Sequence, residues 1–127
     1  MPFIRFGAFC ALVSLAGCAA VSTVDGERLK LTSDDFRAYV ERVFREQNRV
    51  ADDVAFALES PGAERSELAA EEQRLLTACA GVNELATARR DDLQLGVRRS
   101  LGAARTVPQC EAATRSVAES LRQAQEP

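Results

Sequence analysis

The side chains best suited to covalent chemistry in this 127-residue chain are its four cysteines, and one of them stands in a setting that selects it. Cys18 follows Leu15, Ala16 and Gly17, at the end of an almost wholly apolar run from Phe6 to Leu15 that begins behind Arg5. A thiol is a ready nucleophile, able to form a thioether or a disulfide. A charged start, a short apolar run and a close on small residues have the anatomy of a secretory signal peptide. The run makes a helix of roughly 15 Å, about half the hydrocarbon thickness of a bilayer, so it is expected to be removed rather than to span.

Leu15-Ala16-Gly17-Cys18 resembles the lipobox of the bacterial lipoprotein family. The resemblance implies that residues 1–17 are a lipoprotein signal peptide and that Cys18 is the lipid anchor. In that family the sulfur receives a diacylglyceryl group, cleavage makes the cysteine the first mature residue, and its amine often takes a further fatty chain such as palmitate. Buried methylenes contribute about 0.8 kcal/mol each and a single chain binds only reversibly, so the two or three chains of such an anchor are what make it durable. An Asp after the cysteine tends to retain Gram-negative members at the inner membrane. Ala19 occupies that place here, which implies the outer membrane, facing the periplasm. The alternative is an ordinary signal peptide with an incidental Cys18.

Export bears on the other thiols. Cys10 lies in the leader, which leaves Cys79 and Cys110 as one pair; in an oxidising periplasm they are expected to form a disulfide, with two free buried thiols as the alternative. Closing a loop of about 30 residues would stabilise a small domain by roughly 3 to 4 kcal/mol.

Other chemistry has little to draw on. The chain has no histidine, hence no imidazole base, no His-containing metal site and no Ser-His or Cys-His pair. No Gly-rich phosphate loop or Gly-x-Ser-x-Gly elbow is present. Glu64, Glu67, Glu71 and Glu72 could meet a cation, but glutamates at this spacing more often form the solvated face of a helix. No catalytic residue, metal or cofactor is expected, and the chain reads as a non-enzyme. Nineteen carboxylates against sixteen Lys and Arg give a net charge of −3, which argues against a nucleic-acid partner.

Positioning the cysteines is the task of the elements around them. Residues 18–32 read as a lipidated tether: Ala19 to Leu31 lacks helical periodicity, contains Gly26, and as a flexible coil would span about 20 Å. Residues 33–127 read as one helical domain with no convincing strand pattern. Thr32 or Ser33 offers an N-cap, Asp34 and Asp35 suit the first turn, and Phe36, Val40, Val43, Gln47, Val50, Val54 and Ala57 repeat at three- and four-residue steps, so a first helix is expected to about Glu59. Ser60 and Pro61 are placed to start the second. Its stripe is Leu68, Leu75, Cys79, Val82, Ala86 and Leu93, and Gly81 inside it could end the helix early or be tolerated at a cost of about 1 kcal/mol. The third stripe is Val97, Leu101, Ala104, Cys110, Ala113, Val117, Leu121 and Ala124, and Gly102 and Pro108 predict a kink or break between them.

Cys79 and Cys110 lie about equally far from the turn expected at Asp91 to Gly96, so an antiparallel helical hairpin folded there brings the two thiols together. The expected fold is all-α: a small antiparallel three-helix bundle, its helical hairpin stapled by one disulfide, its third helix kinked or broken near Gly102 to Pro108.

Two surfaces could carry binding. Arg89, Arg90, Arg98 and Arg99 flank the turn, and their guanidinium forks match phosphate or carboxylate oxygens. Asp91 and Asp92, and the helix dipole, give them a purely structural use as well. Tyr39, Phe44 and Phe56 lie off the main seam of the first helix and could form a groove for a partner's helix, a wider core face or a surface for homo-oligomers. The function these features imply is a lipid-anchored periplasmic interaction module of the outer membrane, structural, assembling or pilotin-like, engaging another envelope protein. The pilotin comparison rests on architecture alone, since some pilotins are small helical lipoproteins with one disulfide. The alternative is a binding module that takes lipopolysaccharide or anionic lipid through the arginines.

Overall fold

The computed structural model describes residues 19–61 and 65–125. The chain enters through two short strands, β1 (Ala20–Ser22) and β2 (Arg28–Lys30), paired antiparallel with Val21 opposite Leu29. Four helices follow: α1 (Asp34–Glu59), α2 (Arg65–Arg90), α3 (Val97–Arg105) and α4 (Val107–Gln125). The three long helices α1, α2 and α4 each pack against the other two, while α3 lies mainly along α2.

The helical part follows the pattern of the apolar residues. Ser33 caps α1, its hydroxyl accepting from the Phe36 N–H at 3.1 Å, and Asp34 and Asp35 occupy the first turn. Val43, Val54, Leu75, Val82, Val107 and Val117 are fully buried where the three long helices meet. Cys79 on α2 and Cys110 on α4 are joined by a disulfide, with their Cα atoms 4.5 Å apart. α2 stops at Arg90 in a C-terminal cap: Asp92 adopts φ 51°, and the Leu93 N–H returns to the Ala88 carbonyl at 2.8 Å.

Three expectations need correction, and the alternative left open at Gly81 is decided. Residues 19–31 are not a flexible tether and the domain is not purely helical: the segment folds as the β1–β2 hairpin, with Val21 and Leu29 buried in the main core. Its turn uses Gly26 at φ 88°, the left-handed conformation that glycine adopts without steric cost. Ser60 closes α1 instead of opening α2, its N–H bonding the Ala57 carbonyl at 3.1 Å; residues 62–64 lie outside the description. Gly81 does not end α2. It marks the place where α3 crosses closely, for a Cβ there would stand 3.0 Å from the Ala103 carbonyl oxygen. Leu93 and Val97 are exposed, 60% and 77%, because the turn carries them past the end of the core.

The expected break in the third helical stripe narrows to Thr106. Gly102 is accommodated within α3, and Pro108 sits in the first turn of α4, where its missing N–H costs nothing. No helix among the described residues is long and apolar enough to cross a membrane.

Candidate functional site

The most concentrated polar constellation among the described residues is built around Glu111, in the second turn of α4. Its side chain has no exposed surface. A carboxylate in that position must be supplied with donors, and four arrive from three directions. The Tyr39 hydroxyl donates to Oε2 at 2.7 Å and Arg42 donates to Oε1 at 3.1 Å, both from α1. Arg115, one turn further along α4, donates to Oε1 at 2.7 Å. The fourth donor is the backbone N–H of Val24, in the hairpin turn, at 3.4 Å.

The turn is held a second time: Arg115 forms a two-pronged pair with Asp25, at 2.9 and 2.8 Å. The Arg42 guanidinium also lies over the Tyr39 ring, 5.2 Å from its centroid. Thr23 organises the turn from within, its hydroxyl accepting from the Glu27 N–H and its carbonyl from the Gly26 N–H.

The electrostatics follow from these contacts. Burial pushes the Glu111 carboxyl up, but the hydrogen bonds from Tyr39, Arg42 and Val24, with the charge of Arg115, outweigh it and hold the group below the usual carboxylate range. Burial, and then the hydrogen bond and negative charge of Glu111, push the Tyr39 phenol well above its ordinary value. Near neutral pH the carboxylate stays ionised and the phenol neutral. An anion already holding four donors has no free face toward a substrate. The constellation acts as a clamp that fixes the hairpin to α1 and α4.

The structure distributes the expected site residues unevenly. Cys18 lies outside the described residues, and Cys79 and Cys110 are bonded to each other. Arg89, Arg90, Arg98 and Arg99 are all exposed at one end of the bundle. Arg89 pairs with Glu41 at 2.6 Å, Arg90 with Asp91 at 2.8 Å, and Arg99 with Glu84. Arg98 has no ion pair among the described residues. Tyr39 does not belong to a partner face: it is buried, 4% exposed, because its hydroxyl is committed to Glu111. Phe44 is half-buried against the core, and Phe56 is 74% exposed. Glu67 is exposed and Glu71 pairs with Arg74 on the same helix; Glu64 lies outside the description. No group of three or more potential metal ligands occurs among the described residues.

Two concavities among the described residues bear on binding. One, of about 460 Å³, is lined mainly by Leu31, Phe36, Val40, Phe44 and Leu85, with Arg89 and Arg90 at its rim. The other, of about 860 Å³, opens at the opposite end, where Phe56 and Ala57 of α1, Leu68 of α2 and Leu121 of α4 come together. No family model, no curated protein and no solved structure matches this chain.

Glu111, Arg42, Arg115 and Asp25 form the site that the pattern of residues did not reveal. Asp25-Gly26 was the available signal. An Asp-Gly pair between Val21-Ser22-Thr23 and Arg28-Leu29-Lys30, each alternating apolar and polar, is a hairpin pattern. Once the hairpin is placed, its turn needs partners.

Proposed function

We propose that this chain is a bacterial outer-membrane lipoprotein, anchored through acyl chains on Cys18 and facing the periplasm, that serves as a non-enzymatic interaction module for another envelope protein. The observation that carries the interaction reading is Phe56. It stands 74% exposed beside the larger concavity, at the end of the bundle away from the hairpin's entry at Ala19. A large aromatic ring left in water beside a partly apolar cleft is a natural anchor for a partner's side chain. The closed Cys79–Cys110 bond suits an oxidising compartment, and the Leu15-Ala16-Gly17-Cys18 motif supports the lipid anchor. In its finer form the role is pilotin-like: a small disulfide-stapled helical body held at a membrane to receive one client.

A photo-crosslinking residue at position 56, activated in the intact envelope and followed by mass spectrometry, tests this reading. The expected result is one discrete adduct of stoichiometric yield that is absent when the crosslinker replaces exposed Arg49 on α1. Diffuse labelling equal at both positions would overturn it.

A second reading keeps the anchor and assigns binding of an anionic envelope component to the arginine end. It is favoured by Arg98, exposed and without an ion pair among the described residues. It predicts salt-sensitive binding to anionic lipid or lipopolysaccharide, whereas a protein client is recovered by pull-down after solubilisation.

A further inference from the structure

The hairpin has a consequence for how the body sits on a membrane. Its open end is closed by the Leu31 N–H bonding the Ala19 carbonyl at 3.0 Å, so Ala19 is fixed beside Leu31. Leu31 and Phe36 share one groove with Arg89 and Arg90, and Arg89 pairs with Glu41 at 2.6 Å. The entry of the chain, the start of α1 and the end of α2 therefore lie at the same end of the bundle. The Glu111 clamp holds the hairpin's turn against α1 and α4, so this arrangement is a rigid one and not a tether of about 13 residues.

The corner between α2 and α3 belongs to that end. It presents Leu93 and Val97, 60% and 77% exposed, beside exposed Arg90 and Arg98. The corner also exposes Asp91 and Asp92, so it is amphipathic and not strongly basic; such a surface suits the boundary between acyl chains and phosphates, where Leu93 and Val97 leave water and Arg98, without an ion pair among the described residues, reaches headgroup oxygens. Arg90 is paired with Asp91 where both side chains are exposed, and a pair so exposed exchanges readily for phosphate, whereas Arg99 stays on the largely buried Glu84 carboxylate.

We propose that the α2–α3 corner rests in the headgroup layer of a phospholipid bilayer, with Leu93 and Val97 at the depth of the lipid glycerols and Arg90 and Arg98 on the phosphates. This rests on the reading of Cys18 as the lipid-bearing residue, which places Ala19 at the membrane surface. The bundle then stands on that corner and holds Phe56, about 30 Å along α1 from Phe36, clear of the lipid.

The chain has no tryptophan, so a single one reports its own surroundings. The full chain is expressed with Val97→Trp or with Phe56→Trp, purified with its anchor, and reconstituted in vesicles of phosphatidylethanolamine and phosphatidylglycerol, with and without brominated acyl chains. Both positions are exposed, and matching thermal melts establish that both variants fold. The expected result is a blue-shifted emission for Val97→Trp that loses about half its intensity to brominated lipid, with Phe56→Trp unshifted and unquenched. Adding Arg98→Gln to Val97→Trp is expected to reduce the quenching.

The intact mass of each preparation reports the anchor independently. A product without acyl chains overturns both the anchor and this orientation. A lipidated product whose Val97→Trp emission matches that of Phe56→Trp overturns the orientation alone. An emission shift seen in native envelope but not in protein-free vesicles overturns it in favour of a protein partner at the corner.

Discussion

The Tyr39 hydroxyl donates to the Glu111 carboxylate at 2.7 Å, joining α1 to α4 across 72 residues of sequence. The same carboxylate receives Arg42, Arg115 and the Val24 N–H, so α1, α4 and the entering hairpin meet on one buried anion. Neither helix nor hairpin can shift without leaving that charge short of donors, an expensive condition in a low-dielectric interior. The clamp is what turns the segment after residue 18 from a tether into part of the body.

The first prediction concerns acid stability. Burial raises the Glu111 carboxyl and its hydrogen bonds lower it more, so the folded value lies below the ordinary one. A depressed carboxylate contributes stability that is present above its unfolded value, about 4.5, and lost as pH falls through the folded value. Thermal melts of the parent protein are therefore expected to fall steeply below about pH 4.5, while Glu111→Gln gives a flatter acid limb. At neutral pH the substitution is expected to cost about 2 kcal/mol. That is below the usual 3–5 kcal/mol for breaking a buried pair, because the Arg42 and Arg115 side chains remain 41% and 44% exposed. Parallel pH profiles for the two proteins would contradict the assignment.

The second prediction uses the fact that Tyr39 is the single tyrosine of the chain. Burial, then Glu111, raise its phenol, which means the neutral form is favoured by folding. Stability from such a group is present below its unfolded value near 10 and lost as pH rises above it. The native protein is expected to show no phenolate absorbance through about pH 10, and the urea-unfolded chain to titrate there normally. A native titration identical to the unfolded one would mean that the hydroxyl is free.

Much of the helical frame was legible because burial follows a period that the residues themselves display. Val43, Val50, Val54, Leu75, Cys79, Val82, Cys110 and Val117 lie on the expected stripes and are buried. The pairing of Cys79 with Cys110 was legible because they are the two thiols left once Cys10 and Cys18 are set aside, and their positions about the α2–α3 turn supported it. The hairpin was not legible from three-residue strands, whose alternation is too short to stand out, although Asp25-Gly26 marked its turn. Tyr39 and Glu111 were misplaced or missed for a related reason. Periodicity identifies apolar faces, and it cannot show that a polar residue is buried when its donors come from segments about 70 and 90 residues away. Leu93 and Val97 failed in the opposite sense: they continue a stripe whose helices end before the core reaches them.

The third prediction concerns Gly81. Replacing a helical glycine with alanine ordinarily stabilises by about 1 kcal/mol. Here the added carbon would stand 3.0 Å from the Ala103 carbonyl oxygen and 3.1 Å from its Cα, with the Thr106 hydroxyl closer still. Thr106 can rotate, but the backbone of α3 cannot yield without moving its packing. Gly81→Ala is expected to destabilise by about 1–2 kcal/mol net, in the range of overpacked sites. Urea unfolding should show a lower midpoint at unchanged slope, and Thr106→Ala in the same chain should restore only part of the loss.

The fourth prediction separates what the cross-link does from what the core does. Cys79 and Cys110 are 31 residues apart, so their bond restricts the unfolded chain by an amount corresponding to about 3–4 kcal/mol. Valine is the commonest residue of the buried core and buries less apolar area than Leu or Phe, so that contribution is a large share of the total for a domain of this size. Replacing both cysteines with alanine is expected to lower stability by that amount and also to steepen the dependence on urea, because a chain freed of the bond exposes more surface when it unfolds. If instead the midpoint falls while the slope stays constant, the loss lies in the native packing of α2 on α4, and the staple contributes through contact more than through confinement of the unfolded chain.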